Sequence, residues 1–160
     1  MKLPDSNKPV SGITGAVQDG VEMPDPKMMK DLLQCIGEGS YVGTPNTELL
    51  EKFLGDFDSA DENTIEKFMY HMDELFSAGL FRAKHLAVEH GWGAGSGIDG
   101  DVSIAETNLV LSPVGSEVLE ELSKPKGLES FKSAIRNVGV TSAVAGTEAV
   151  KYAIGELLKG

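Results

Sequence analysis

This chain has one cysteine, Cys35, so no intrachain disulfide can staple it. Cys35 falls within an apolar helical pattern (Met28, Met29, Leu32, Leu33, Ile36), which predicts a buried, inert thiol. Histidine is scarce too. His85 and His90 lie five apart on a predicted strand and so point to opposite faces, unlike the ligands of a zinc site. His71 sits beside an apolar stripe and reads as a partly buried, hydrogen-bonded side chain. No apolar run approaches the roughly 20 residues of a membrane span. The first residues lack the basic-flanked apolar core of a secretory signal, which predicts a cytoplasmic protein. Positive charge is short as well: 14 Lys and Arg stand against 25 Asp and Glu, a net charge of −11. Such a surface repels the phosphate backbone that supplies most non-specific nucleic-acid affinity, and it favours basic partners.

The charge is unevenly placed. Residues 28–80 hold three Lys or Arg against eleven Asp or Glu, whereas residues 124–160 hold six against three. Motifs for catalysis are missing in the same way. There is no Gly-x-Ser-x-Gly elbow, no Gly-Lys-Ser/Thr phosphate loop and no basic setting around Cys35. Gly95-Ser96-Gly97-Ile98-Asp99-Gly100 matches Gly-x-Gly-x-x-Gly, but a strand rather than a helix is predicted to follow, so the dipole that would receive a pyrophosphate is missing. Asp99 and Asp101 lack the further oxygen donors of a calcium loop. No catalytic residue, cofactor or metal site is expected.

What is present begins with Asp61 to Ala78. Ile65, Phe68, Met69, Met72, Leu75 and Phe76 recur at three- and four-residue spacing and predict a long amphipathic helix. Ser59 and Glu62 fit a capping box at its start, and Gly79 fits a left-handed cap at its end. Its outward positions include Asp61, Glu62, Glu66, Asp73 and Glu74 against the single Lys67, with Tyr70 nearby.

Around this helix the pattern predicts an extended, flexible arm over residues 1–26, where Pro4, Pro9, Pro24 and Pro26 punctuate the chain. A helix from Pro26 to about Ile36 follows, then a turn-rich link with room for one short strand at 41–46. A second helix spans Glu48 to Phe57, capped by Asn46 or Thr47. After the long helix come a strand over 81–90, a glycine-rich loop over 91–100 and a returning strand over 102–111. Ser112-Pro113 opens a helix with Val114, Val118, Leu119 and Leu122 on its apolar side, and Lys124 to Gly127 is read as a break. Two C-terminal helices carry Leu128, Phe131, Ile135 and Val138, then Val150, Ile154, Leu157 and Leu158. The expected fold is α+β and mainly helical: a winged-helix-like core over 27–123, a two-stranded wing, and a helical extension over 124–160. Small residues on the last helix (Ala145, Gly146, Ala149, Ala153) suit close helix packing, including a homodimer through the C-terminal helices.

The stretch His71-Met72-Asp73-Glu74-Leu75-Phe76-Ser77-Ala78-Gly79-Leu80 and the helix opening Ser112-Pro113-Val114-Gly115-Ser116-Glu117-Val118-Leu119 resemble an uncharacterised family. Its members are short bacterial and phage proteins grouped as a domain of unknown function. The similarity of layout runs from about Met28 to Leu158, with a longer proline-rich N-terminus and Ser112-Pro113 as departures. It implies a winged-helix shape and a bacterial or phage origin, without an activity.

These readings predict a non-enzymatic, acidic binding or regulatory protein that works through protein contacts, including inhibition of a host nucleic-acid-handling protein. The expected surface comprises Asp61, Glu62, Glu66, Lys67, Tyr70, Asp73, Glu74 and Trp92. Trp92, between two glycines, is read either as a contact anchor on the wing or as packed over the sheet. The alternative is a transcriptional regulator contacting DNA through Lys67, Arg82, Lys84 and the basic tail.

Overall fold

The computed structural model describes residues 24–85, 91–96, 102–141 and 147–159. The expected arm lies almost wholly outside these residues, as do His90 and positions 97–101. Six helices and five short strands are formed among the described residues, giving an α+β protein dominated by helix.

Helix α1 (Pro26–Gly37) starts where Pro26 costs nothing, because the first turn has no partner for the missing N–H. The Asp25 carboxylate caps it by accepting the Lys27 N–H at 3.1 Å. Met29, Leu32, Leu33, Cys35 and Ile36 form its buried face. At the far end the Thr44 hydroxyl bonds the carbonyls of Cys35 (3.0 Å) and Ile36 (3.1 Å), satisfying groups a helix end leaves open. Thr44 and Pro45 form β1, and α2 (Asn46–Leu54) begins directly after it. It therefore starts two residues before the expected Glu48 and stops at Gly55 rather than reaching Phe57. Pro45 sets the backbone for the first turn, and Gly55 breaks it.

Helix α3 (Glu62–Ser77) buries Phe68, His71, Met72 and Leu75. Its cap is Asp61, whose carboxylate accepts the Thr64 N–H at 3.2 Å. The expected Ser59–Glu62 capping box does not form, because the Ser59 hydroxyl turns back to the Asp56 carbonyl. Gly79 has a φ of +79°, with Leu80 N–H on the Leu75 carbonyl and Gly79 N–H on that of Phe76. This is a Schellman ending, and it directs the chain straight into β2 (Phe81–Ala83).

The glycine-rich segment is not simply a loop. Ala94–Ser96 forms β3 and pairs antiparallel with β4 (Val102–Ile104), Gly95 facing Ser103. The single strand expected over 102–111 is instead two. After β4 the chain breaks at Ala105–Thr107, then resumes as β5 (Asn108–Leu111), which lies between β1 and β2 in an antiparallel sheet of order β1-β5-β2.

Ser112 caps α4 (Pro113–Leu122) by accepting the Gly115 N–H at 2.9 Å, while its hydroxyl donates to the Gly79 carbonyl at 2.6 Å. Val114, expected inside, is exposed; Gly115, Val118 and Leu122 face the core. Lys124 to Gly127 does not separate helices widely, because Pro125 is the first residue of α5 (Pro125–Thr141). That helix also continues through Gly139, where a stop was expected. Helix α6 (Thr147–Lys159) completes the chain.

The last two helices are not an appendage to the core. Phe131, Ala134 and Ile135 of α5 and Val150, Ala153, Ile154 and Leu157 of α6 join one continuous cluster with α1, α3 and α4. Ala153, one of the small residues that suggested self-pairing, is buried within the chain; Ala145 and Gly146 lie outside the described residues. Among the described residues, no helix is long and apolar enough to cross a membrane.

Candidate interaction surface on the third helix

Helix α3 carries most of the residues singled out in the sequence, and the structure sorts them into three roles. Glu62 and Glu66, one turn apart, stand exposed and hold no ion pair among the described residues. Asp61 is committed to capping. Lys67 is engaged with the start of α1, where its ammonium lies 3.2 Å from the Asp25 carboxylate.

That ion pair belongs to a junction between α1 and α3. The Asp25 N–H donates to His71 Nε2 at 2.7 Å, and His71 Nδ1–H donates to the Lys67 carbonyl at 2.8 Å. Both ring nitrogens are thus engaged, which matches the neutral Nδ1–H tautomer. His71 is 2% exposed, so it is more deeply enclosed than its position beside the apolar stripe indicated. Tyr70 packs edge-on against it at 5.2 Å. Burial pushes the Asp25 carboxyl up, but the hydrogen bond and charge of Lys67, together with the N–H groups of Met28 and Lys27, outweigh it and hold it below the usual range. Tyr70 and Glu74 are partly buried here, so they contribute less to the open face than expected.

Of the two readings of Trp92, the structure takes the packed one. Its side chain is 2% exposed and meets Phe68 edge-on at 5.9 Å, so it is core and not a contact anchor at a loop tip. The indole N–H reaches the one polar partner it needs, Asp73 Oδ1, at 2.8 Å. Asp73 thus ties the helix to the β3–β4 hairpin, although it remains solvent-exposed. The hairpin is also held from beneath by Asn46, which is fully buried. Its amide donates to the carbonyls of Trp92 and Ala105, both at 2.9 Å, and its carbonyl accepts the Thr107 N–H at 3.3 Å. The sequence suggested only a cap at Asn46; nothing local to it signals partners 46 to 61 residues away.

Between α3 and the hairpin lies a cleft of about 600 Å³ lined by Asp73, Phe76, Ser77, Trp92, Gly95 and Ser103 among others. Among the described residues it offers one carboxylate and two hydroxyls, with no histidine, lysine or arginine. Among the described residues, no three His, Cys, Asp or Glu side chains converge as a metal site would require. Cys35 is buried, and burial pushes its thiol above the ordinary value.

Trp92 makes a direct probe of this arrangement. Its emission is expected to be blue-shifted and weakly quenched by acrylamide. Trp92→Phe keeps the ring packing but removes the bond to Asp73, and should cost about 1–2 kcal/mol in urea unfolding. Emission typical of a solvated indole would contradict the burial.

Of the residues marked from sequence, the fold brings Glu62 and Glu66 together on an open face and leaves Asp73 exposed further along the helix. Lys67 and Tyr70 turn toward α1, and Trp92 goes inside. No family model matches this chain, and no curated protein or solved structure is significantly similar to it.

Proposed function

We propose that this chain is a non-enzymatic regulatory protein of winged-helix type, of bacterial or phage origin, that binds a basic protein through the outer face of α3. The order helix, strand, two helices, strand, hairpin, strand supports the winged-helix reading, as does a sheet in which β5 lies between β1 and β2. In that architecture α3 occupies the place of the helix that enters a duplex. The observation that carries the proposal is the pair Glu62 and Glu66, exposed and uncompensated where a DNA reader needs cations. Carboxylates presented in this way suit a partner that ordinarily handles phosphates, so occupancy of a host nucleic-acid-handling protein is the specific form of the reading. The resemblance to short bacterial and phage proteins points the same way.

Two measurements test it. Titration of labelled duplex DNA at low salt is expected to give no binding by the full chain. Salt-sensitive micromolar binding would instead favour the DNA-contacting regulator. Pull-down from a bacterial lysate is expected to recover a basic protein. Reversing charge with Glu62→Lys and Glu66→Lys should slow its association by about 10-fold at low salt. Among the described residues these positions hold no ion pair, and Glu62 lies in the first turn of α3, so the reversal should cost the fold only about 0.3–1 kcal/mol. Association indifferent to the reversal would remove α3 as the contact.

A further inference from the structure

The one cationic side chain of β2, Arg82, leads away from α3 to a different face. Arg82 is exposed and pairs in register with Val110 of β5. It lines a cleft of about 440 Å³ with Ser40, Tyr41, Val110, Leu111 and Ser116. That volume lies within the range of small-molecule sites. No carboxylate lines this cleft among the described residues, although the chain as a whole is strongly acidic. The Arg82 guanidinium and the hydroxyls of Ser40, Tyr41 and Ser116 hold no protein partner among the described residues.

The wall that carries Tyr41 is fastened in place. Lys84 Nζ donates to the carbonyls of Tyr41 (2.9 Å) and Val42 (3.4 Å), and Asn108 Nδ2 donates to the Val42 carbonyl at 3.1 Å. Ser40 adopts a φ of +55°, a left-handed conformation that is unfavourable for a serine. Tyr41 is 92% exposed beside the cleft, which is unusual for a large aromatic residue. Glu38 and Glu120 line the adjoining groove, which shares Gly37, Leu111 and Ser116 with this one.

From this juxtaposition we infer that the Arg82–Tyr41 cleft binds a small organic anion with a flat apolar body. A carboxylate or phosphate would accept from the Arg82 guanidinium and from the Ser40 and Ser116 hydroxyls. The body would lie against the Tyr41 ring and over Val110 and Leu111. This site is separate from the α3 face, so it stands or falls independently of the proposed partner.

Nitrogen-15 spectra of the full chain, titrated with four probes, test the inference. Indole-3-acetate represents aromatic carboxylates and adenosine monophosphate represents nucleoside phosphates; tryptamine and inorganic phosphate are the controls. At least one of the first two is expected to shift the amides of residues 37–42, 82, 110–112 and 114–116, with a dissociation constant below about 1 mM. Which one does so identifies the source of the anion. Tryptamine, with the same ring and the opposite charge, should leave those amides unmoved, and inorganic phosphate should bind at least about 10-fold more weakly for want of a body. Arg82→Gln and Tyr41→Ala, both at exposed positions, should each weaken binding about 10-fold while the rest of the spectrum stays native. The inference is overturned if neither anion shifts these amides at about 10 mM. Equal binding of tryptamine, or unchanged affinity in Arg82→Gln, overturns it as well.

Discussion

Asn46→Ala is expected to lower the unfolding free energy by about 3–5 kcal/mol, a large part of the roughly 5–15 kcal/mol that holds a domain of this size. The side chain is fully buried and makes three hydrogen bonds to backbone groups of Trp92, Ala105 and Thr107. Truncation removes all three and leaves two carbonyls and one N–H desolvated, at about 1–3 kcal/mol each before any water enters. The sum is reduced because the carboxamide-sized gap left beside polar groups can admit water. Asn46→Asp sharpens the test. It keeps an acceptor for Thr107 but turns both donors into acceptors facing carbonyls, and buries a charge besides. It should be at least as damaging as alanine. Urea unfolding followed by Trp92 emission and by circular dichroism measures both variants. A loss below about 1 kcal/mol for Asn46→Ala would show that the hairpin is held some other way.

Gly115→Ala provides the second large effect, and its sign is the informative part. On helix propensity alone, alanine should stabilise α4 by about 1 kcal/mol. A Cβ built on Gly115, however, would lie 1.8 Å from the Leu80 carbonyl oxygen and 2.8 Å from its carbon. These are backbone atoms just before β2, and the Leu80 oxygen already accepts the Ser112 N–H at 3.0 Å. Relief therefore requires moving the start of α4 away from the end of α3, against the Ser112 bonds to Gly79 and Gly115. We expect destabilisation of about 3 kcal/mol, at the upper end of ordinary overpacking. Gly155→Ala in α6 is the matched control. Its Cβ would meet nothing within 4 Å, so the propensity gain should appear undiminished, as stabilisation of about 0.5–1 kcal/mol. If both glycines respond alike, close approach at Gly115 is not what distinguishes them.

The two glycines also show where reading residues in order reaches its limit. Gly79 was legible because its role is local: a helix with apolar periodicity must end, and a left-handed residue ends it. Gly115 sits near the start of a helix, where sequence logic treats glycine as a weakness. Its reason is a carbonyl 35 residues earlier, which no window of sequence contains. Ser59 illustrates the same limit at shorter range. It fits a capping pattern with Glu62, yet Asp61 is nearer to the helix start and its carboxylate is the stronger acceptor for the Thr64 N–H.

The same contrast runs through the candidate surfaces. The acidity of α3 and its apolar stripe follow from residue type and a period of 3.6, so Glu62 and Glu66 could be placed outward without coordinates. Trp92 could not be placed. Its flanking glycines suit an exposed tip as well as an enclosed turn, and only the meeting of the hairpin with Phe68 and Asp73 puts it inside. Arg82 and Tyr41, 41 positions apart, likewise acquire a shared cleft only because β5 runs between β1 and β2.

Sequence by itself determined where most of the helices lie and the excess of carboxylates, because each depends on composition or on spacing within a few turns. Tertiary structure alone decided the split of the 102–111 segment between hairpin and sheet, the enclosure of Trp92 and the placement of Arg82 and Tyr41 along one cleft. Those outcomes depend on hydrogen bonds and packing between distant segments, whose free energy exists only once the chain has closed upon itself.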